Sequence, residues 1–266
     1  MTDLPPSDAP LLRAVDGRGV ATLTFNRPEK SNSYNAALLD ALRDEVARLG
    51  ADPAVRLIVL RGTGKHFSAG AEVGGDHAAA KGKPSVSIPE LCLALDSVPK
   101  PVIALVHGAC IGGAVALISC CDVVVATRGA FFSLPEVRLG FAPGPLIPFF
   151  LRAIDARSLR RYLLSGERFT AEEALRIGLV HKLCDADASD GSALSDVVAD
   201  ALLAAPNAVA HAKALLRRLT HVPVSQELLA ELQVEFDQRF QSPEAIEGRL
   251  SFREKRKPKW FPSEQP

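Results

Sequence analysis

Three short runs decide most of what this 266-residue chain can fold into: LIVL at 57–60, VIALV at 102–106 and VVVA at 123–126. None alternates apolar with polar residues, as a strand with one wet face does. Continuous apolar runs of this length fit strands covered on both faces, the habit of a parallel sheet. Helical spacing precedes the first run, where Leu38, Leu42, Val46 and Leu49 follow a capping Asn35 and end at Asp52–Pro53. A second helix is expected over Ile88–Ser97, and a third is entered through Gly112 and Gly113. Strands alternating with helices imply an α/β class built from βαβ-like units. Ahead of them, LLRAVDGRGVATLTF is expected to form a hairpin turning at Asp16–Gly17.

After about residue 145 the pattern turns helical, through SLRRYLLSG, TAEEALRIG, SALSDVVADALLAA, AVAHAKALLRRL and SQELLAELQVEFDQRF. Thr170 with Glu173 has the spacing of a capping box, and Gly178 that of a C-terminal cap. LVHKL is expected to rejoin the core as an edge strand. Residues 76–87 are polar and carry Gly and Pro, a candidate mobile segment. Between residues 249 and 260 six cations, Lys255 and Lys259 among them, face one acid, Glu254. That tail is either a solubilising last helix docked by Phe252, Trp260 and Phe261, or a phosphate or carboxylate site.

Composition narrows the partners. Lysine plus arginine balance aspartate plus glutamate at 31 each, so the total charge gives no reason to expect nucleic acid. Five cysteines without a CxxC spacing argue against a zinc ribbon or a disulfide framework and fit reduced thiols in the cytoplasm. No signal peptide and no membrane span is expected. The spacing of His66, His77 and His107 suggests no metal site; His107 is expected to hydrogen-bond in the turn before the glycine-led helix.

Three stretches carry chemistry. GKHFSAGAE (64–72) leaves an apolar run through Gly70, and successive N–H groups in such a turn can hold an anion. A tight turn with no ligand fits the same residues. HGACIGGAVALISCCD (107–122) starts a helix on glycine, where unpaired N–H groups favour negative charge, although close helix–strand packing selects small residues too. It has neither the GK[ST] of a phosphate loop nor a GxGxxG dinucleotide fingerprint. FFSLPEVRLGFAPG (131–144) sets Glu136 among apolar side chains, where a carboxyl gains a raised pKa and can exchange protons near neutrality. A solvent-facing glutamate at a helix end is the other reading. Two of these loops converging at the carboxyl edge of one sheet would supply the paired N–H donors of an oxyanion hole.

Taken in order, LTFNRPEKSN, GKHFSAGAE, VHGACIGGAVALISCCDVVVA, FSLPEVRLGFAPG, SGERFTAEEALRIGLV and FREKRKP resemble the enoyl-CoA hydratase/isomerase, or crotonase, superfamily over about residues 11–260. The resemblance implies a spiral of ββα units forming two sheets over 11–200. A C-terminal helical trimerisation and lid region follows over 201–266, giving a homotrimer or a dimer of trimers. It implies an acyl-CoA thioester substrate, CoA being part of that substrate and no separate cofactor being needed. The backbone N–H groups of Ala71 and Gly113 would hold the thioester oxygen, and Gly113 would lack a side chain to make room for that oxygen.

Glu136 matches one of the two glutamates of the best-known hydratases; Ala116 stands where the other belongs. A single carboxylate is the pattern of Δ3,Δ2-enoyl-CoA isomerases. The stretches around Ala116 and Glu136 look, in contrast, like hydratases of methylglutaconyl- or isohexenylglutaconyl-CoA, for whose extra carboxylate Arg138 and Arg152 are candidate partners. Thioester hydrolysis or decarboxylation, or acyl-CoA binding with little catalysis, are further readings. By the same resemblance Lys30, Ala69, Gly70, Glu72, Gly112, Phe141 and Gly144 bind substrate, residues 73–88 line the acyl pocket, and Lys255 and Lys259 meet CoA phosphates, on a neighbouring subunit where the trimer requires it.

Overall fold

A computed structural model describes residues 9–72, 86–185 and 194–262. The N-terminal hairpin pairs β1 (Leu11–Val15) with β2 (Val20–Phe25), and Asp16 Oδ1 closes the turn by accepting from the Arg18 and Val20 N–H groups. β3 (Leu57–Gly62), β4 (Val102–Val106), β6 (Val123–Thr127) and β9 (Lys182–Cys184) then add in parallel, in the order β1-β2-β3-β4-β6-β9. Each new strand joins the same side of the sheet. The pattern of βαβ-like units therefore does not produce a doubly wound sheet with a reversal in strand order.

Both faces of the central strands are dry, as their unbroken apolar runs require. Ile58, Leu60, Val102, Ala104 and Val124 pack into one core cluster with α1 (Ala36–Ala51), α2 (Ile88–Ser97) and α3 (Gly113–Ser119). The intervening residues Leu57, Val59, Ile103, Leu105 and Val125 face the other way, onto Val198 and Leu202 of a later helix, Ser195–Leu203. Asn35 caps α1 as expected, accepting from the Leu38 N–H, and Ser87 with Glu90 forms a capping box on α2 that the sequence reading did not select.

A second sheet of three strands runs β5-β7-β8, built from Ala109–Ile111, Phe131–Ser133 and Phe169–Thr170. These strands are too short for a pattern reading to find. α4 (Ile147–Ala153), α5 (Ala156–Ser165) and α6 (Ala171–Arg176) follow the core strands. Thr170 caps α6, yet Glu173 does not reach back; it bonds Tyr162 and Arg176, so the expected capping box is only half made. The helix already met at Ser195–Leu203 is α7, followed by α8 (Pro206–Leu219), α9 (Gln226–Phe240) and α10 (Pro243–Arg253). After α10 the Trp260 indole donates to the Leu203 carbonyl and Phe261 packs on the second core cluster. Phe252 is 86% exposed, which corrects the expectation that all three aromatics dock the tail. Among the described residues no helix is long and apolar enough to cross a membrane.

Candidate active site

Three parallel segments end together. Ser68 bridges Cys110 of β5 in parallel, and β5 pairs in parallel with β7. Past their carboxyl ends the chain continues as 69–72, as Gly112–Gly113 entering α3, and as a 3-10 turn over Pro135–Leu139 that carries Glu136. The convergence expected of two loops at a sheet edge therefore occurs, with a third added. It takes place at the small sheet, one short step beyond the long strands. The segments enclose a cavity of about 360 Å³, largely apolar, with Ile88, Leu139, Phe141 and Leu146 in its lining.

The glycines follow from this crowding. Gly70 has φ +87°, and a Cβ on it would lie 2.8 Å from the Ile111 carbonyl oxygen. Gly112 has φ +58°, and a Cβ there would lie 2.8 Å from Glu136 Oε1. Both positions combine left-handed backbone with close approach, which only glycine tolerates without strain. Gly113 is different: a Cβ would run into the Tyr34 hydroxyl, a side chain the sequence reading did not select.

Two backbone donors lie at this cavity. Tyr34 and Ala71 form an isolated parallel bridge in which the Tyr34 N–H donates to the Gly70 carbonyl at 2.9 Å and the Glu72 N–H to the Tyr34 carbonyl at 3.2 Å. The N–H of Ala71 itself is left pointing the opposite way, as parallel pairing dictates. Gly113 is the first residue of α3, so its N–H has no acceptor within the helix. Glu136 is only 7% exposed, and among the described residues its Oε2 has no hydrogen-bond partner. Burial pushes its pKa above the ordinary carboxylate range.

Of the residues singled out beforehand, Ala69, Gly70, Ala71, Gly112, Gly113, Glu136 and Phe141 line the cavity together. Gly144 does not; it is an exposed link between the lining residues Pro143 and Pro145. Lys30 is exposed at the end of a 3-10 turn, outside the lining. Glu72 is held by the Arg27 guanidinium at 2.9 Å and also lies outside the lining, which corrects its expected orientation toward the pocket. Arg138 donates to the Ser165 carbonyl and Arg152 pairs with Asp96, so neither is offered to a substrate carboxylate in this cavity. Lys255 and Lys259 follow α10 and line no part of it. Ala116 is wholly buried in the main core. Of the loop expected to be mobile and to line an acyl pocket, 73–85 lies outside the described residues.

Support for the loop comes from Asn32, which sequence reasoning passed over, and from His107, which it did not. Asn32 is fully buried, donates to the Thr63 and His66 carbonyls, and accepts from the Arg27 N–H. His107 Nε2 meets the Gly64 carbonyl oxygen at 2.9 Å, as its place in the turn suggested.

A family model described as enoyl-CoA hydratase/isomerase matches residues 16–263. A probable enoyl-CoA hydratase of Mycobacterium leprae is 32% identical over 260 residues, covering 94% of this chain and 99% of the relative. The 2,3-dehydroadipyl-CoA hydratase of Escherichia coli K12 is 32% identical over 243 residues, covering 90% and 94%. Among solved structures, an enoyl-CoA hydratase from Shewanella pealeana superposes with a TM-score of 0.87 at 32% identity, covering 94% of this chain and 96% of its own.

Proposed function

The chain belongs to the enoyl-CoA hydratase/isomerase family of enzymes, and from that premise we propose that it adds water across the double bond of a 2-enoyl-CoA thioester. Glu136, as carboxylate, takes a proton from water while the oxygen bonds to the β carbon. The π electrons move onto the thioester oxygen, and the enolate is held by the Ala71 and Gly113 N–H groups. Protonated Glu136 then returns its proton to the α carbon, completing addition with one group on one face. Two positioned donors on a developing oxyanion are worth on the order of 3–4 kcal/mol each. The observation that carries the reading is the buried, half-unpartnered carboxylate of Glu136 on the same cavity as both N–H groups. Relatives printed as hydratases support it.

CoA enters as part of the substrate, and no separate cofactor is drawn on. Lys30, and from a neighbouring subunit Lys255 and Lys259, are the cations we assign to its phosphates. The described lining carries no cation, which supports an uncharged acyl chain ahead of a branched glutaconyl-type one. Five free cysteines support the cytoplasm as the compartment. The isomerase reading is kept because Ala116 leaves one carboxylate, and one base is enough to carry a proton between two carbons.

The test is turnover in H₂¹⁸O with crotonyl-, 3-methylglutaconyl-, isohexenylglutaconyl- and 3-enoyl-CoA, read by mass. Label in a 3-hydroxyacyl product from a 2-enoyl substrate is expected. A shifted double bond without label would make the enzyme an isomerase, and tight binding with no turnover of any substrate would make it an acyl-CoA-binding protein.

A further inference from the structure

The two segments that carry the donors are joined below the cavity by a short ladder. The Ser68 N–H donates to the Ala109 carbonyl at 3.0 Å, and the Ile111 N–H to the Ser68 carbonyl at 3.1 Å. Beyond these rungs one segment runs on to Ala71 and the other to Gly113. Below them, the Ala109 N–H donates to His66 Nδ1 at 3.0 Å, so an imidazole makes the bottom rung. Ala109 is only 5% exposed, and a buried N–H of this kind needs its acceptor. Gly108 shows how closely the ring is seated. Its φ is +56°, and a Cβ there would lie 2.7 Å from His66 Nδ1 and would run into the Lys65 carbonyl.

An Nδ1 that accepts carries no proton, so the ring holds its one proton on Nε2. Protonation would replace the acceptor with a second N–H facing that of Ala109. The surroundings oppose it. Burial first, then Lys65 beside it and His107 from the turn after β4, hold its pKa below the ordinary histidine value. Its other ring contact is edge-on to Phe131 of β7, over which the Arg168 guanidinium lies at 4.9 Å. We propose that His66 is a positioning residue for the oxyanion hole: as a neutral acceptor it sets the register of the two segments that present the Ala71 and Gly113 N–H groups. This rests on the enolate chemistry proposed above and deepens it. His66 lies outside the cavity lining, so it acts through the backbone. β5 has three residues, so one rung is a large share of what fixes its register. The acid form breaks that rung, and the hole loses its spacing as pH falls.

The experiment reads the hole through the substrate carbonyl, in a Glu136→Gln background so that this carboxyl does not titrate. Butyryl-CoA labelled with ¹³C at the thioester carbonyl is bound, and the carbonyl stretch is followed by infrared difference spectroscopy from pH 8 to pH 5. With His66 in place the band should be lowered at pH 8, as positioned donors polarise the bond, and should return toward its free value on acidification. His66→Asn should keep the lowered band throughout, because its Oδ1 takes the place of Nδ1 and does not titrate. His66→Ala should show little lowering at pH 8. With Glu136 restored, His66→Ala should reduce kcat ~10²-fold with a smaller change in KM, the scale of a reacting geometry misplaced by about 1 Å. A band lowered as much in His66→Ala as with His66, or the same acid loss in His66→Asn, would overturn the proposal. Should His66→Ala fail to fold, the pH comparison between His66 and His66→Asn decides alone. A band at its free value with His66 at every pH would remove the oxyanion hole itself, and this inference with it. A lowered, His66-dependent band in a protein that hydrates no substrate would sink the hydratase reading and leave this one standing.

Discussion

Glu136 behaves in opposite ways for stability and for catalysis. Its pKa is raised in the folded protein, with burial as the leading cause. Between the ordinary carboxylate range and that raised value, the folded chain keeps a proton that the unfolded chain has lost. The folded state thus binds more protons, and stability falls as pH rises through the window. Glu136→Gln removes this loss. Its melting temperature relative to wild type should be about even at pH 4 and should climb toward pH 8 in a thermal unfolding series. Turnover follows the other sign, since the base must be unprotonated: kcat/KM should rise across the same window, and the Gln variant should lose ~10²–10⁴-fold. A Gln variant with full turnover would remove Glu136 from the mechanism. Ala116 makes the complementary case. It is 0% exposed and packed in the core, so Ala116→Glu should bury an unpaired charge and cost about 3–5 kcal/mol in urea unfolding, with no gain on crotonyl-CoA. Glu136 was legible because its apolar neighbours adjoin it in sequence. Tyr34 was not, because what gives it meaning is a contact with a glycine far along the chain.

Element length decided which parts of the fold were readable. The central strands and α1, α2 and α8 run long enough for their period to show, and all lie where the sequence places them. β5, β7 and β8 have two or three residues each, less than any period can reveal, yet they bring Gly113 and Glu136 together. The convergence of the loops was therefore legible, while the small sheet at whose edge they meet was not. α8 shows what a long element needs besides its pattern. Lys213 is 8% exposed, and its ammonium meets Asp122 Oδ2 at 2.7 Å and the Leu95 and Lys100 carbonyls at 3.2 and 3.1 Å. Asp122 also accepts from the Val102 N–H, so one carboxylate ties α8 to the start of β4. Lys213→Met would leave that carboxylate and two carbonyls without their donor. We expect a loss of about 3–5 kcal/mol by urea unfolding, with acyl-CoA affinity of the folded fraction unchanged. A loss below 1 kcal/mol would mean that water replaces the ammonium freely.

At the scale of the molecule, the C-terminal helices present more apolar surface than a lone chain needs. Leu216 is 71% exposed, Phe236 57% and Phe252 86%, and an apolar cavity of about 560 Å³ opens between α8, α9 and α10, with Leu215, Phe236, Phe240 and Trp260 in its lining. Contiguous exposure of large side chains marks an interaction surface more often than scattered exposure does. We propose a second and third copy of the same chain as the occupant, which is the assembly that the family resemblance implies. Sequence periodicity could not supply this, since an amphipathic helix looks the same whether its apolar stripe meets its own core or a neighbour's. Multi-angle light scattering should therefore return three or six times the chain mass of 28.3 kDa. Phe252→Asp lies outside the cavity that holds Glu136, so it should lower that mass toward a single chain while the secondary structure stays intact. If Lys255 and Lys259 act on a neighbour's CoA, the dissociated variant should also bind CoA thioesters more weakly than wild type, with a smaller dependence on salt. A wild-type mass of one chain would detach those lysines from the site and leave the apolar face to a different partner.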